Sequence, residues 1–239
     1  MEKLRQLLDE MIASLDDPNE FQESLDTLVS VYPFNEYEYI ISTLLGLNKL
    51  TLNDYIELRE DYIARNLYLY IFEISAPRGF GETWAQGHLK ELVPDLAKPT
   101  KTLDPQYSGQ YDFLLDGRIK IEVKASRAVD FHSDAPLYMK ALSSDSGKQF
   151  DMNFQQVKPA CCDVFVWIAV WRDRIRYWVL SSTEVETNRY FSVGQHRGNV
   201  GEGQLHLNRE NIRDFSQYEH RSDGLLNAIR EAYERQHSG

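Results

Sequence analysis

Apolar residues near the start of the chain, Leu4, Leu7, Leu8, Met11, Ile12 and Leu15, recur three and four positions apart, which lays one apolar stripe along an α-helix. A second helix start follows at Asp17-Pro18-Asn19-Glu20. It offers a capping carboxylate, a proline in the first turn and an acid at the third position, ahead of Phe21, Leu25, Leu28 and Val29. A third apolar segment, Tyr37 to Leu45, stops at Gly46, and helical spacing resumes from about Leu52 to Phe72. The pattern predicts about four or five packed helices, a helical subdomain over 1–76 fused without a Gly/Ser linker to a second unit over 77–239.

After Pro77 the period changes. Gly81-Glu82-Thr83-Trp84-Ala85 opens a helix to about Leu92, and Pro94, Pro99 and Pro105 keep the chain irregular up to Tyr107. Tyr111–Leu115 and Arg118–Ala125 then alternate around Asp116-Gly117, a hairpin signal. Asp163–Trp171 and Ile175–Leu180 flank Arg172-Asp173-Arg174, and the first is so continuously apolar that both its faces must be covered, as in a central strand. Thr183 and Glu186 read as a capping box, and a helix ending near Lys158 is expected between the hairpins. The expected class is α/β, with a mixed sheet flanked by helices and preceded by the helical subdomain.

Charge refines this division. The 239 residues carry 26 basic and 37 acidic side chains, a net of −11, which excludes adhesion to polyanions by bulk field. Residues 1–80 hold 6 basic and 15 acidic groups (−9), whereas 81–239 hold 20 and 22 (−2), so a polyanion would be met by the second unit. Met1-Glu2-Lys3-Leu4-Arg5 lacks the apolar core of a signal peptide, and the run Val164 to Trp171 is too short to cross a bilayer. A cytoplasmic protein with no membrane partner is expected. Cys161 and Cys162 are adjacent, which suits neither an ordinary disulfide nor a zinc site, and read as buried thiols.

Strict alternation in Arg118-Ile119-Lys120-Ile121-Glu122-Val123-Lys124 puts Ile119, Ile121 and Val123 on a core face and the charged side chains on the other. A two-residue loop would send the Asp112 carboxylate into the core. A three-residue loop, Leu115-Asp116-Gly117, instead pairs Asp112 with Lys120 and Phe113 with Ile119, buries Phe113 and brings Asp112 beside Glu122; that register is expected. Two carboxylates and a lysine on one sheet face are the parts of a phosphodiester-hydrolysing site. Asp112, Glu122 and the Val123 carbonyl suit Mg²⁺, with Mn²⁺ as a substitute, and the Lys124 ammonium could orient a water and offset transition-state charge. The same alternation also describes an ordinary solvated face. Among the ten lysines, however, only Lys124 has an acid two residues before it.

Asp112 followed by Glu122-Val123-Lys124, within Ser108-Gly109-Gln110-Tyr111-Asp112 and Ile121-Glu122-Val123-Lys124-Ala125-Ser126, resembles the PD-(D/E)XK nuclease signature of type II restriction endonucleases. Tyr111 stands where the motif name has proline. Gly81-Glu82-xx-Ala85 resembles the first helix of that fold, which implies metal support by Glu82, and Phe154-Gln155-Gln156-Val157-Lys158 is similar to the segment before its central strand, which implies a place for Gln156 near the catalytic lysine. The resemblance covers roughly 77–207. It implies a restriction-endonuclease-like core, Mg²⁺-dependent cleavage of double-stranded DNA leaving 5′-phosphates, a homodimer, and a cognate DNA methyltransferase in the same prokaryotic cell. Ser126, Arg127, His132 and Lys158 would then lie near DNA. The glycine-rich segment Gly194–Gly203 offers Gln195, His196, Arg197 and Asn199 as base-reading side chains, with a plain connecting loop as its other reading. Two rivals remain open: a repair, recombination or structure-specific nuclease of the same fold, and a non-catalytic DNA-binding or assembly module.

Overall fold

A computed structural model describes residues 2–26, 33–194 and 202–237. Four α-helices come first: α1 (Glu2–Ala13), α2 (Pro18–Asp26), α3 (Pro33–Gly46) and α4 (Leu52–Arg65). The Asp17 carboxylate caps α2 by accepting the Glu20 N–H at 3.0 Å. Thr51 and Asp54 cap α4 reciprocally, each side chain accepting from the other's main chain. The helices bury Leu8, Ile40, Leu44 and Tyr62 in an apolar cluster of their own. The 3₁₀ turn Leu69–Glu73 that follows already belongs elsewhere: Leu69, Ile71 and Phe72 pack into the core of the sheet. A π-helical turn, Gly79–Ala85, runs directly into α5 (Gln86–Leu92).

Strands β1 (Phe113–Leu115) and β2 (Ile119–Arg127) form the expected antiparallel hairpin with a different loop. Asp116 and Gly117 both take positive φ, 53° and 68°, and the Arg118 N–H closes the turn on the Leu115 carbonyl at 3.1 Å. Arg118 is the extra residue, so the loop is Asp116-Gly117-Arg118 and Phe113 pairs with Ile121. The expected pairing of Phe113 with Ile119 is thus displaced by two positions. A slip of two keeps every side chain on its face, so Phe113 is still buried, and Asp112 comes level with Glu122 rather than with Lys120.

The segment expected to be a helix ending near Lys158 is a strand, β3 (Asp151–Val157). Met152 and Phe154 point inward, and the ladder to its partner breaks at a bulge between Phe154 and Val157. Strands β4 (Val164–Val170) and β5 (Ile175–Ser181) follow, then α6 (Ser182–Glu186). The capping box of α6 is Ser181 with Glu184, two residues before the expected pair, because β5 runs on through Ser181. Short strands β6 (Phe191–Val193), β7 (Gly203–Asn208) and β8 (Glu219–His220), a 3₁₀ stretch Ile212–Tyr218 and the final helix α7 (Leu225–His237) complete the chain.

The class is α/β. The larger sheet is mixed, in the order β1-β2-β4-β5-β8 with only β2 and β4 parallel, and the smaller is antiparallel, β3-β7-β6. As its apolar run requires, β4 is buried at every position. Val164, Val166, Ile168 and Val170 face α5, α7 and the 3₁₀ turn, while Phe165, Trp167 and Ala169 face the inner side of the small sheet. Phe154 of β3 stacks on Trp167 with ring centroids 5.0 Å apart. Each such ring removed from water contributes about 1.5–3 kcal/mol, which fixes the small sheet against the larger one along one side of β2.

Candidate active site

The outward face of β2 meets the end of β3 and the π-helical turn around a cleft of about 870 Å³. Glu122, Lys124 and Ser126 project from one face of β2 into it, and Asp112, just before β1, joins them. The Asp112 carboxylate is held at both oxygens: Oδ2 accepts the Val123 N–H at 2.8 Å and Oδ1 accepts from Gln86 Nε2 at 2.6 Å. Its main-chain N–H donates to the Ile121 carbonyl at 2.9 Å. Lys124 Nζ lies 2.7 Å from Glu122 Oε1, with the lysine and glutamate side chains only 16% and 19% exposed. The spacing of alternate strand residues and the half-buried location of this pair separate it from a solvated face.

Burial pushes the Glu122 carboxyl up to about 7; Lys124 opposes the shift and the Asp112 charge adds to it. Burial likewise raises Asp112, against the Val123 N–H and Lys124, with Glu82 adding a smaller push upward. Two carboxylates held together in a half-dry cleft at a cost to their own ionisation form a site that gains from a cation. Among the described residues, no three His, Cys, Asp or Glu side chains gather into a metal-holding set. The donors present are two carboxylates and the Val123 carbonyl. That set fits Mg²⁺, which binds through one or two carboxylates and keeps several waters.

The other expected residues divide. Glu82, Gln156 and Lys158 line the same cleft. Glu82 stands at its rim, 64% exposed and 3.5 Å from Arg78, rather than against the carboxylate pair. Lys158 Nζ is paired with Glu202 at 2.7 Å, and Gln156 occupies the bulge of β3 with φ 55°. Arg127 lines the cleft but is committed elsewhere. Its guanidinium donates to the Ile71 and Ile74 carbonyls at 3.1 and 2.8 Å and lies 4.2 Å over the Phe80 ring, and burial lowers its pKa. The guanidinium thereby clamps the 3₁₀ turn to β2, on the core-face parity of the strand. His132 is exposed, edge-on to Phe131, and lies outside the residues lining the cleft. Gln195, His196, Arg197 and Asn199 lie outside the described residues. Cys162 is buried, whereas Cys161 is only half-buried and reaches the cleft, against the expectation for it.

Sequence reasoning missed Gln86, which bonds Asp112 directly and accepts from Lys98. It stands one helical turn beyond Glu82, at the first residue of α5, so the helix was placed correctly and its inward residue was not. Asp151 and Asn153 were missed with the strand that carries them.

The fold and site thus define an α/β protein with a half-buried carboxylate–lysine cluster at the edge of a mixed sheet. No family model matches the chain, and no curated protein matches it in sequence. A solved structure, the crystal structure of the ChsE4-ChsE5 complex from Mycobacterium tuberculosis, aligns over 87% of this chain and 53% of that one at 14% identity. The chain therefore spans about half of that neighbour, and the TM-score of 0.22 makes the overlap too loose to inform fold or function. Among the described residues no helix is long and apolar enough to cross a membrane.

Proposed function

We propose that the chain is a Mg²⁺-dependent endodeoxyribonuclease of the restriction type, with a PD-(D/E)XK core, hydrolysing phosphodiester bonds of double-stranded DNA at a specific sequence. The observation that carries this reading is the half-buried cluster of Asp112, Glu122 and Lys124 on one sheet face, with the Asp112 carboxylate braced by the Val123 N–H at 2.8 Å. Mg²⁺ held by Asp112, Glu122 and the Val123 carbonyl would supply Lewis acidity and lower the pKa of a water; Mn²⁺ would substitute.

The chain's own residues do the rest. Gln86 and the Val123 N–H fix the direction of the Asp112 carboxylate. Glu122 keeps the Lys124 ammonium in the cleft, where it donates to the attacking water and offsets charge growing on the phosphoryl oxygens. Water adds to phosphorus and loses a proton to solvent, the bond to the 3′ oxygen breaks, the leaving 3′ oxygen takes a proton from solvent water, and the products are a 5′-phosphate and a 3′-hydroxyl. Arg78 and Lys158 at the cleft give duplex phosphates their first cationic contacts. A homodimer would match the two-fold symmetry of a palindromic site, and protection of the cell's own DNA would fall to a cognate methyltransferase in the same cytoplasm.

Incubation with Mg²⁺ and several plasmids tests this. Discrete fragments that vanish with chelator are expected; intact plasmids would sink it. Cutting only at branches or flaps would favour a repair or recombination nuclease, and duplex binding without any metal requirement a non-catalytic module.

A further inference from the structure

The small sheet presents two unlike faces. Met152, Phe154, Leu205 and Leu207 of β3 and β7 are buried against the larger sheet. The opposite face carries Asp151 and Asn153 from β3, then Gln204, His206 and Asn208 from β7, all half-buried. Asp151 and Asn153 line the same cleft as the carboxylate cluster. A run of amide and imidazole side chains on a ribbon packed firmly from behind has no part in the hydrolytic step, and core packing does not account for it.

Three local features mark this face. The His206 ring donates from Nδ1 to Asp151 at 2.8 Å, which in the neutral ring fixes Nε2 as an acceptor. Asn153 donates from Nδ2 to Gln204 Oε1 at 3.0 Å, while its Oδ1 is buried with no partner among the described residues; leaving such an acceptor unmet costs about 1–3 kcal/mol. The bulge between Phe154 and Val157 turns both Gln155 and Gln156 to the surface of the cleft, with Gln156 held at φ 55°, a conformation that a side chain of this kind adopts at a cost. Strand β6 pairs with β7 only over Gly203–Leu205, so Asp151–Asn153 and His206–Asn208 form a two-stranded antiparallel end of the small sheet. Such a ribbon fits the major groove, about 12 Å wide, and Asn, Gln and His offer donors and acceptors that distinguish base edges there.

Building on the nuclease reading, we propose that the polar face of the β3–β7 ribbon reads base edges in the major groove of duplex DNA held in the cleft, through Asn153, Gln155, Gln204 and His206. Asp151 acts as a positioning residue through His206.

The test is selection of random-sequence duplexes by the full chain carrying Lys124→Ala, with Mg²⁺ present, so that both carboxylates remain. An enriched motif is expected. Adding Asn153→Ala, Gln155→Ala or His206→Ala should each erase preference at one or two positions of that motif, with discrimination there falling about tenfold. Gln155 is exposed, so its variant keeps the fold intact; melting curves check the other two. A motif that survives all three substitutions, or affinity lost evenly over all sequences, overturns the proposal. The unsubstituted chain is tested on the same library for cleavage. Cutting with no motif removes base reading and leaves the nuclease reading standing, whereas a ribbon-dependent motif with no cutting does the reverse.

Discussion

Two aspartates sit at opposite ends of the β1–β2 hairpin. Asp116, in the turn, is exposed and accepts two hydrogen bonds from Arg230 of α7, at 2.8 and 3.0 Å, and the guanidinium lowers its pKa. Asp112, at the open end, is half-buried, faces Glu122 instead of a dedicated cation, and has its pKa raised. One arrangement relieves the charge and the other concentrates it. Structural carboxylates across this molecule follow the first pattern: Tyr111 and Lys120 lower Asp104, and Lys148 lowers Asp130. Only a site with a task gains from the second, because a charge held at a cost is one that an incoming cation or phosphate group can relieve.

The comparison breaks most visibly at the chemistry. Asp112→Ala, Glu122→Ala or Lys124→Ala should each lower Mg²⁺-dependent cleavage by about 10³-fold while duplex binding persists. Arg230→Ala, which frees the other end of the hairpin, should leave the cleavage rate within about twofold. Parallel time courses on one plasmid decide it, and equal losses at both ends would erase the distinction.

Gln86→Ala should come next, raising the Mg²⁺ concentration for half-maximal cleavage by about 10–100-fold, as expected for a group that orients a ligand. Metal titration of the rate measures this. Arg127→Ala should act on stability instead. Loss of two buried donors to the Ile71 and Ile74 carbonyls costs about 1–3 kcal/mol, read in denaturant melts, with no change in the salt dependence of DNA binding.

On stability, Glu122→Gln gives the smallest and most telling effect. The folded carboxyl titrates at about 7 against an ordinary 4.5. Between those values the folded state holds a proton that the unfolded chain has released. Its contribution to stability is full below the lower value and is lost as pH rises through the higher one. The glutamine variant should therefore be more stable than the parent by about 1–2 kcal/mol at pH 8 in metal-free buffer, less than the full shift implies because the Lys124 pair is also lost. The gap should close toward pH 5. Destabilisation at pH 8 would mean that Glu122 and Lys124 form an ordinary structural pair.

How much could be read beforehand depended on whether one period governed a segment. Alternation from Ile119 to Lys124 assigned the faces of β2 correctly, so Glu122 and Lys124 were found, and burial of Phe113 placed Asp112 with them. The exact pairing was lost because Leu115 was counted as loop, whereas Asp116 and Gly117 turn the chain and Arg118 is the added residue. Strand β3 was hidden by its own bulge. Met152 and Phe154 alternate, but Gln155 and Gln156 interrupt the sequence before Val157, and the break reads as the wrong period. Gln86 was obscured because Glu82, one turn earlier, carries the more conspicuous charge. Gln86 and Asn153, two uncharged residues of the cleft that the sequence pattern did not single out, meet the carboxylates only in the folded chain.

The most direct test of the central claim is cleavage of plasmid DNA by the purified full chain in Mg²⁺, run beside Glu122→Gln and beside a chelator control. Discrete fragments from the parent, restored by Mg²⁺ or Mn²⁺ after chelation and absent from the folded glutamine variant, are the predicted result. Cleavage by the variant at the parental rate, or fragments that persist in chelator, would contradict it.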